Sequence, residues 1–233
     1  MPATALPSTG DPAPRGKIGC DTSDMVMIHN LYRKVFREAS ELVAAAKSAD
    51  TTRAGVLSDH LAELAESVHH HHHTEGVTLW DQLEAAAPGC EPHVERMKAE
   101  HRALSDALDR LTELLPAWRA SASEKDHAAV ARALAGVLAS LNEHLGDEEV
   151  SILPIAAKSM TQAEWNKIGE MGRAGTPRDK QFVQLGFILD SMPEAEREAW
   201  RKQNLPGPVW LLYKLIGKRQ YEKHRALVYG TAA

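Results

Sequence analysis

The sequence has few cysteines and few aromatic residues, and it has no long apolar run. Only Cys20 and Cys90 occur among 233 residues, which excludes a disulfide scaffold and a cysteine-rich metal cluster. The apolar runs fall well short of the ~20 residues that a membrane span needs, and residues 1–20 carry no apolar signal-peptide segment. A net charge of -5 provides no basic field for nucleic acid. We therefore expect a cytoplasmic protein that binds neither nucleic acid nor membranes.

The sparse aromatic content of 5% and the absence of alternating Val/Ile/Thr runs predict an all-α fold. Helical spacing of apolar residues predicts helices near 22–46, 55–87, 91–118 and 121–152, with Ser121 or Ser123 as a cap and Pro116 ending or kinking the third. Short connections between long helices predict an antiparallel up-down four-helix bundle over residues 22–156.

The two ends of the chain differ from this central region. Prolines crowd the first residues, so 1–21 is predicted to be a disordered N-terminal tail. Residues 157–233 are predicted to be a C-terminal helical extension that packs on the bundle. Capping-box patterns at Thr161–Glu164 and Ser191–Glu194 predict two helix starts there. The aromatic segment after Leu205 fits a helix against the bundle or against a second subunit, so a homodimer is possible.

Twelve histidines are the most unusual feature of the composition, and some of them repeat with glutamate. Two stretches read His-x3-Glu, His71–Glu75 and His144–Glu148. His29 precedes the first stretch by 42 residues and His101 precedes the second by 43. Spacing of four residues keeps each His and Glu on one helix face. The repeat therefore predicts two similar helix pairs related by a pseudo-twofold axis.

Imidazole nitrogen suits iron and other borderline transition metals, and carboxylates can bridge two metals. We therefore predict two metals inside the bundle, with four terminal histidines and two bridging glutamates: His29, His71, His101, His144, Glu75 and Glu148. Helical angles place His72 roughly 60° from Glu75, where it could lie behind the ligands. We expect His69, His70 and His73 to face solvent or another helix. We also expect His60, His93, His127 and His224 to lie on the surface.

These residues resemble the hemerythrin-like (HHE cation-binding) proteins, including actinobacterial members with a C-terminal segment. The family's usual motif reads His-x3-Glu-Glu-x2-Leu-Phe-Pro, and His144-x3-Glu148-Glu149-x2-Ile152-Leu153-Pro154 follows it closely. The stretch from His71 to Trp80 follows it with Gly76 for the second Glu and Asp81 for Pro. The resemblance implies a non-heme diiron centre with a bridging oxygen species that binds O2, peroxide or NO. It assigns His29 and His71 to one iron, His101 and His144 to the other, and Glu75 and Glu148 to the bridges.

One departure from the oxygen-carrying members affects the expected chemistry. Those members have a fifth histidine from a His-x3-His pair on the third helix, whereas Met97 and Ser105 flank His101 at that spacing. Both irons would then keep an open position, which favours oxidation, peroxide breakdown or NO reduction over reversible O2 binding. An additional ligand such as Glu100, Tyr32 or His72 would close a position. Tyr32, one turn from His29, is a weak candidate for a direct part in catalysis, and core packing is its alternative role.

Other functions fit parts of the pattern. One is an O2-dependent diiron oxidase whose extension shapes a pocket for a small organic substrate. Another is a ferritin-like oxidase built on Glu66-x-x-His69 and Glu124-x-x-His127. The last is a metal-free helical interaction module. Whether the protein is a carrier, a sensor or an enzyme stays open.

Overall fold

The computed structural model describes residues 16–230, and within that range the chain is helical and contains no strand. The predicted all-α fold is confirmed. Short 3-10 and π-helical turns at Pro88–Cys90 and Tyr213–Gly217 accompany eleven α-helices within these residues. The helices are α1 (Ser23–Ala44), α2 (Thr51–Thr78), α3 (Trp80–Ala86), α4 (Glu91–Ser121), α5 (Glu124–Ser151), α6 (Leu153–Ser159), α7 (Gln162–Ala174), α8 (Gln181–Ser191), α9 (Glu194–Asn204), α10 (Gly207–Leu212) and α11 (Lys218–Tyr229).

The four long helices α1, α2, α4 and α5 form the bundle, with α1 beside α2 and α5, and α4 beside the same two helices. Asp50 and Ser123 cap the starts of α2 and α5 by accepting hydrogen bonds from backbone N–H groups three residues on. Ser123 is one of the two caps that the sequence predicted. The buried stripes of the four helices meet in one apolar core, which includes Phe36, Leu57, Leu61, Leu104, Leu108, Leu111, Leu134 and Leu141.

Two of the long helices break at the same point of the repeat, three residues after the glutamate of each motif. The predicted continuous helix over 55–87 is wrong, because α2 ends at Thr78 and α3 starts at Trp80. The matching break separates α5 from α6. The breaks let apolar residues turn across the end of the bundle and form a second core cluster, which includes Leu79, Trp80, Leu83, Val94, Met97, Ile152, Leu153 and Trp165.

The third helix of the bundle, α4, runs through Pro116 and ends at Ser121 rather than at the predicted residue 118. Pro116 is exposed, so water can satisfy the helix carbonyl that lacks a backbone N–H partner. The proline therefore does not end the helix.

The C-terminal extension lies against the bundle mainly through α7, which contacts α2, and through α8, which contacts α1. The capping box at Thr161 and Glu164 is confirmed at the start of α7. The one predicted at Ser191 and Glu194 is wrong, because the Ser191 hydroxyl donates to the carbonyl of Ile188 and Pro193 precedes α9. Close packing joins α8 to α11, since a Cβ atom on Gly186 would lie 2.2 Å from the ring of Tyr221.

The segment before α1 differs from the expectation of disorder up to residue 21. Residues 1–15 lie outside the described residues. The N–H groups of Gly19 and Cys20 donate to the carbonyls of Met160 and Ala157 at 2.8 and 3.1 Å, and that of Asp21 donates to the Gln162 side chain at 2.8 Å. These bonds hold residues 19–21 against the start of the extension, a contact that proline content could not predict.

Several large apolar side chains of the extension are exposed. They are Val209, Leu211, Leu212, Leu215, Ile216 and Leu227. The homodimer itself stays a prediction. Within residues 16–230, no helix combines the length and the apolar character that crossing a bilayer requires.

Candidate metal centre

The fold brings the six predicted ligand residues together inside the bundle, close to the end at which α2 and α5 stop. α1 supplies His29, α2 supplies His71 and Glu75, α4 supplies His101, and α5 supplies His144 and Glu148. His29, Glu75 and Glu148 are fully buried, and the other three side chains are at most 11% exposed. The i, i+4 spacing on α2 and α5 points each His and its Glu to the same interior face.

Each carboxylate lies between one histidine of each predicted pair. The two oxygens of Glu75 lie 3.1 Å from His71 Nε2 and 3.3 Å from His101 Nε2. Oε2 of Glu148 lies 3.3 Å from His29 Nε2 and 3.9 Å from His144 Nε2. Glu75 therefore has the placement that a bridge between two metals requires, whereas Glu148 lies within 4.8 Å of all the ligand atoms of one group only, that of His29 and His71. The bridging roles themselves stay a prediction.

Two of the histidines have a carboxylate behind the ring. His29 Nδ1 lies 2.9 Å from Glu149 Oε1, and His144 Nδ1 lies 3.2 Å from Glu100 Oε2. A proton on Nδ1 that is bound to a carboxylate leaves Nε2 free to face a metal and fixes the ring orientation. Glu100 thus lies behind His144, not in the position of the additional ligand considered from the sequence.

A fifth histidine, His72, also belongs to the cluster. Its ring stacks on that of His101 with centroids 4.0 Å apart and stands edge-on to that of His144 at 5.0 Å. It is 5% exposed, and neither ring nitrogen has a hydrogen-bond partner. The sequence admitted His72 as an additional ligand, and a helical angle of roughly 60° from Glu75 is the signal that kept it in consideration.

Ligand atoms fall into two groups that share Glu75, and within each group the atoms lie within 4.8 Å of one another. One group is His29, His71, Glu75 and Glu148, and the other is His72, Glu75, His101 and His144. Met97, considered at the position of the missing histidine, is instead buried in the second apolar cluster.

The polar atoms at the centre of the cluster lack hydrogen-bond partners. These atoms are Nε2 of the four predicted histidines and both oxygens of Glu75 and Glu148. Buried polar atoms in folded proteins nearly always have partners. One cation in each of the two ligand groups would satisfy these atoms, so the residues present fit two metal ions.

Residues 21–156 match the family model of the hemerythrin HHE cation-binding domain. The chain belongs to this family. The matched range contains the whole bundle and every residue of the two ligand groups. No curated protein and no solved structure matches the chain.

The electrostatics of the HHE domain also favour cations. Burial lowers the pKa of His71 to about 3 and that of His101 to about 4, so both present neutral imidazole to a metal. Burial alone would lower the pKa of His29, but Glu148 beside it raises the value to about 9. Burial and the charge of Glu148 together raise the pKa of Glu75 well above its ordinary value. Two carboxylates enclosed together need positive charge if both are to ionise.

The hydroxyl of Tyr32 is bound away from the ligand atoms of the HHE domain. It donates to the carbonyl of Ser67 at 3.0 Å, and burial raises its pKa to about 12. The ring contacts that of His71, with centroids 5.3 Å apart. This arrangement favours the packing role, and a direct part in catalysis stays a prediction.

The residues of the ferritin-like alternative do not join the cluster within the described part of the chain. His69 Nε2 lies 3.2 Å from the carboxylate of Asp109, and Nε2 of His127 lies 2.7 Å from the carbonyl of Val43. Glu66 and Glu124 are exposed.

The expectation that four lone histidines lie on the surface is wrong for His60. His93 is exposed, but His60 is only 3% exposed and has Phe187, His224 and Tyr229 around its ring. The reason is that the extension covers this face of α2, which the periodicity of α2 alone cannot show. His70 also contacts the extension, with Nε2 at 3.0 Å from the carbonyl of Gly172.

A groove on the surface of the HHE domain leads to one side of the cluster. Its volume is about 430 Å³, and it is lined by His69, His72, His73, His101, Arg102, Ser105 and Asp106. Because His72 and His101 also belong to one ligand group, a small molecule in this groove would meet that half of the cluster first.

Proposed function

We propose that the HHE domain holds two iron ions and binds O2, peroxide or NO at them. The observation that carries this proposal is the pair of buried ligand groups that share Glu75, whose central atoms have no other partner. Iron bound there would supply the ligand binding and the electron exchange that protein side chains lack.

The chain supplies four ligands to each position. We propose His29, His71, Glu75 and Glu148 for one iron and His72, His101, His144 and Glu75 for the other. Four protein ligands leave coordination sites free on an ion that prefers six. His72 adds a third imidazole on one side, so the two positions are unequal in donor type, although each remains open to a small ligand.

Side chains around the ligands hold them in place and limit water. The carboxylates of Glu149 and Glu100 orient His29 and His144 through their Nδ1 atoms. The ring of Trp80 lies 5.4 Å from that of His101, and it is 2% exposed. Low exposure strengthens every charge interaction inside the cluster.

The access groove reaches His72 and His101 of one ligand group, so a small molecule that enters it would first meet the iron held by these residues.

The test measures the iron content and the near-UV and visible spectrum of the purified protein. We expect two irons per chain and a spectral change on exposure of the reduced protein to O2, peroxide or NO. His144→Ala should lose this iron, while the matched variant His93→Ala, which removes an exposed histidine, should keep it. No bound iron, one zinc in its place, or two irons retained by His144→Ala would overturn the proposal.

The same spectra separate the possible roles. A change that reverses when O2 is removed indicates carriage or sensing, whereas consumption of peroxide indicates catalytic turnover. Unchanged helicity and stability after chelation of all metal would instead favour the metal-free interaction module.

A further inference from the structure

A second cluster of metal-ligand side chains lies where the extension covers the bundle. His60 and Glu63 lie one turn apart on α2, and His224 approaches them from α11. One ligand atom from each residue lies within 4.8 Å of the other two. His60 precedes His71 by eleven residues, roughly 16 Å along the helix axis, so this cluster is separate from the iron ligands.

The buried imidazole of His60 has no hydrogen-bond partner for Nε2. Its ring lies among aromatic rings, with centroids 6.4 Å from Phe187, 6.2 Å from Tyr229 and 6.1 Å from His224. Phe187 cannot accept or donate a conventional hydrogen bond, and the hydroxyl of Tyr229 donates to Glu38 at 2.8 Å. A partnerless buried nitrogen is rare in folded proteins, and a cation beside Nε2 would remove the anomaly.

The donor set selects the class of cation. Two imidazole nitrogens and one carboxylate oxygen form a common three-ligand set for zinc, with water in the fourth position. We propose that His60, Glu63 and His224 form a second, mononuclear site for Zn²⁺ or a similar divalent transition metal. Binding there ties α11 of the extension to α2 of the bundle.

The cluster needs a small closure to hold zinc. Zinc–ligand distances of about 2.0–2.1 Å in a tetrahedron place ligand atoms roughly 3.3 Å apart. The ligand atoms must therefore approach one another by up to ~1.5 Å from the limit of 4.8 Å. His60 is fixed by its surroundings, but Glu63 and His224 are half-buried, so rotation of these two side chains supplies the movement.

Lys180 competes with a metal ion for the carboxylate of Glu63. Its Nζ lies 2.8 Å from Oε1 of Glu63, and the two side chains are 43% and 37% exposed. Zinc binding requires the ammonium group to leave the carboxylate, and its charge opposes a cation nearby. Removal of the lysine should therefore strengthen zinc binding, whereas removal of a lysine with only a packing role would not.

The experiment titrates the iron-loaded full-length protein with Zn²⁺ by calorimetry and counts both metals after gel filtration. We expect one zinc per chain in addition to the iron. His224→Gln should weaken zinc affinity by at least about tenfold, because loss of a direct ligand costs no less than loss of an orienting group. Lys180→Ala should strengthen it several-fold, and the matched control His93→Ala should leave it unchanged.

Amide hydrogen exchange reports independently of affinity whether zinc ties α11 to α2. Zinc should slow amide hydrogen exchange in α11 of the wild-type protein and have no such effect in His224→Gln. Circular dichroism checks that the variant is folded, and Glu63→Gln replaces it if it is not.

Three outcomes would overturn the second site: no zinc beyond the iron, zinc that replaces iron one for one, or equal zinc affinity in wild type and His224→Gln. None of the three residues belongs to the iron ligand groups. A variant that loses zinc but retains iron therefore reports on this site alone. Iron absent from a protein that still binds His224-dependent zinc would instead contradict the iron proposal.

Discussion

Glu149 provides the sharpest test of how the cluster is organised, because it acts on a predicted ligand without being one. Its Oε1 contacts His29 Nδ1 at 2.9 Å and Arg33 at 2.7 Å. Burial opposes ionisation of Glu149, but the contacts with His29 and Arg33 lower its pKa below the usual value. The charged carboxylate therefore fixes the His29 ring with Nε2 toward the cluster. We expect Glu149→Ala to weaken iron binding while leaving the fold intact.

The magnitude follows from the burial of His29. Its side chain is fully buried, so water cannot readily replace the lost acceptor, and an unmet buried donor costs about 1–3 kcal/mol. Loss of an orienting group behind a ligand histidine lowers metal affinity by about 10- to 100-fold, or about 1.4–2.7 kcal/mol. The two ranges agree. Glu149→Gln retains an acceptor and should recover part of the loss.

The assay is competition for iron against a chelator at fixed pH, with bound iron measured by absorbance. Glu143→Ala is the matched control, since it removes an exposed glutamate from the same helix. An affinity for Glu149→Ala within about threefold of wild type would refute the orienting role. An equal loss in Glu143→Ala would show that the effect is general charge, not ring orientation.

Three further predictions concern the repeat and the packing. Gly76 occupies the position in the repeat that corresponds to Glu149, and it is exposed with free space around it. Gly76→Glu should therefore supply a carboxylate to His101 and tighten iron binding a few-fold in the same competition assay. Weaker iron binding by this variant would contradict the pseudo-twofold relation. Leu108→Ala empties a fully buried core position and should lower the free energy of unfolding by about 2–5 kcal/mol in denaturant titrations. Burial raises the pKa of Asp190, but Lys34 at 2.8 Å outweighs it and lowers the pKa below 3.8, so Asp190→Asn should cost under about 1 kcal/mol at pH 7. That difference should disappear, not grow, as the pH falls below the ordinary carboxyl pKa.

The repeated spacing of His and Glu predicts both the bundle and the set of candidate metal ligands. Matching intervals of 42 and 43 residues are a long-range signal, because they require both helix pairs to have the same length and register. His29 and His101 carry no local motif, and only this interval connects them to the clusters in which the structure places them.

The helix break after Thr78 could not be predicted from local signals, whereas α5 ends at Ser151, within one residue of the predicted end at 152. Pro154 gave a reason for an end after the second motif, but the first motif has Asp81 at the equivalent position and breaks as well. The cause is tertiary: Leu79 and Trp80 are buried across the end of the bundle. Burial of such residues depends on helices distant in sequence, which no local pattern reports.

The burial of His60, which the sequence predicted to be exposed, has a similar explanation. His60 lies at a position of α2 that points away from the core of a four-helix bundle, so the sequence predicts an exposed side chain. α11 and Phe187 of α8 cover that face. A sequence pattern describes one helix at a time, and the burial of His60 is a property of the assembled extension.

The hydrogen bonds of residues 19–21 to residues 157–162 have a consequence for what constitutes an autonomous folding unit. The family match stops at residue 156, yet the backbone just before α1 finds its partners immediately beyond that boundary. A polypeptide cut at 156 would lose these hydrogen bonds and would uncover the faces of α1 and α2 that α8 and α7 contact. Because the extension covers the helices that carry His29 and His71, we expect the bundle to be less stable without it, and a protein trimmed to the family boundary is not an equivalent folding unit.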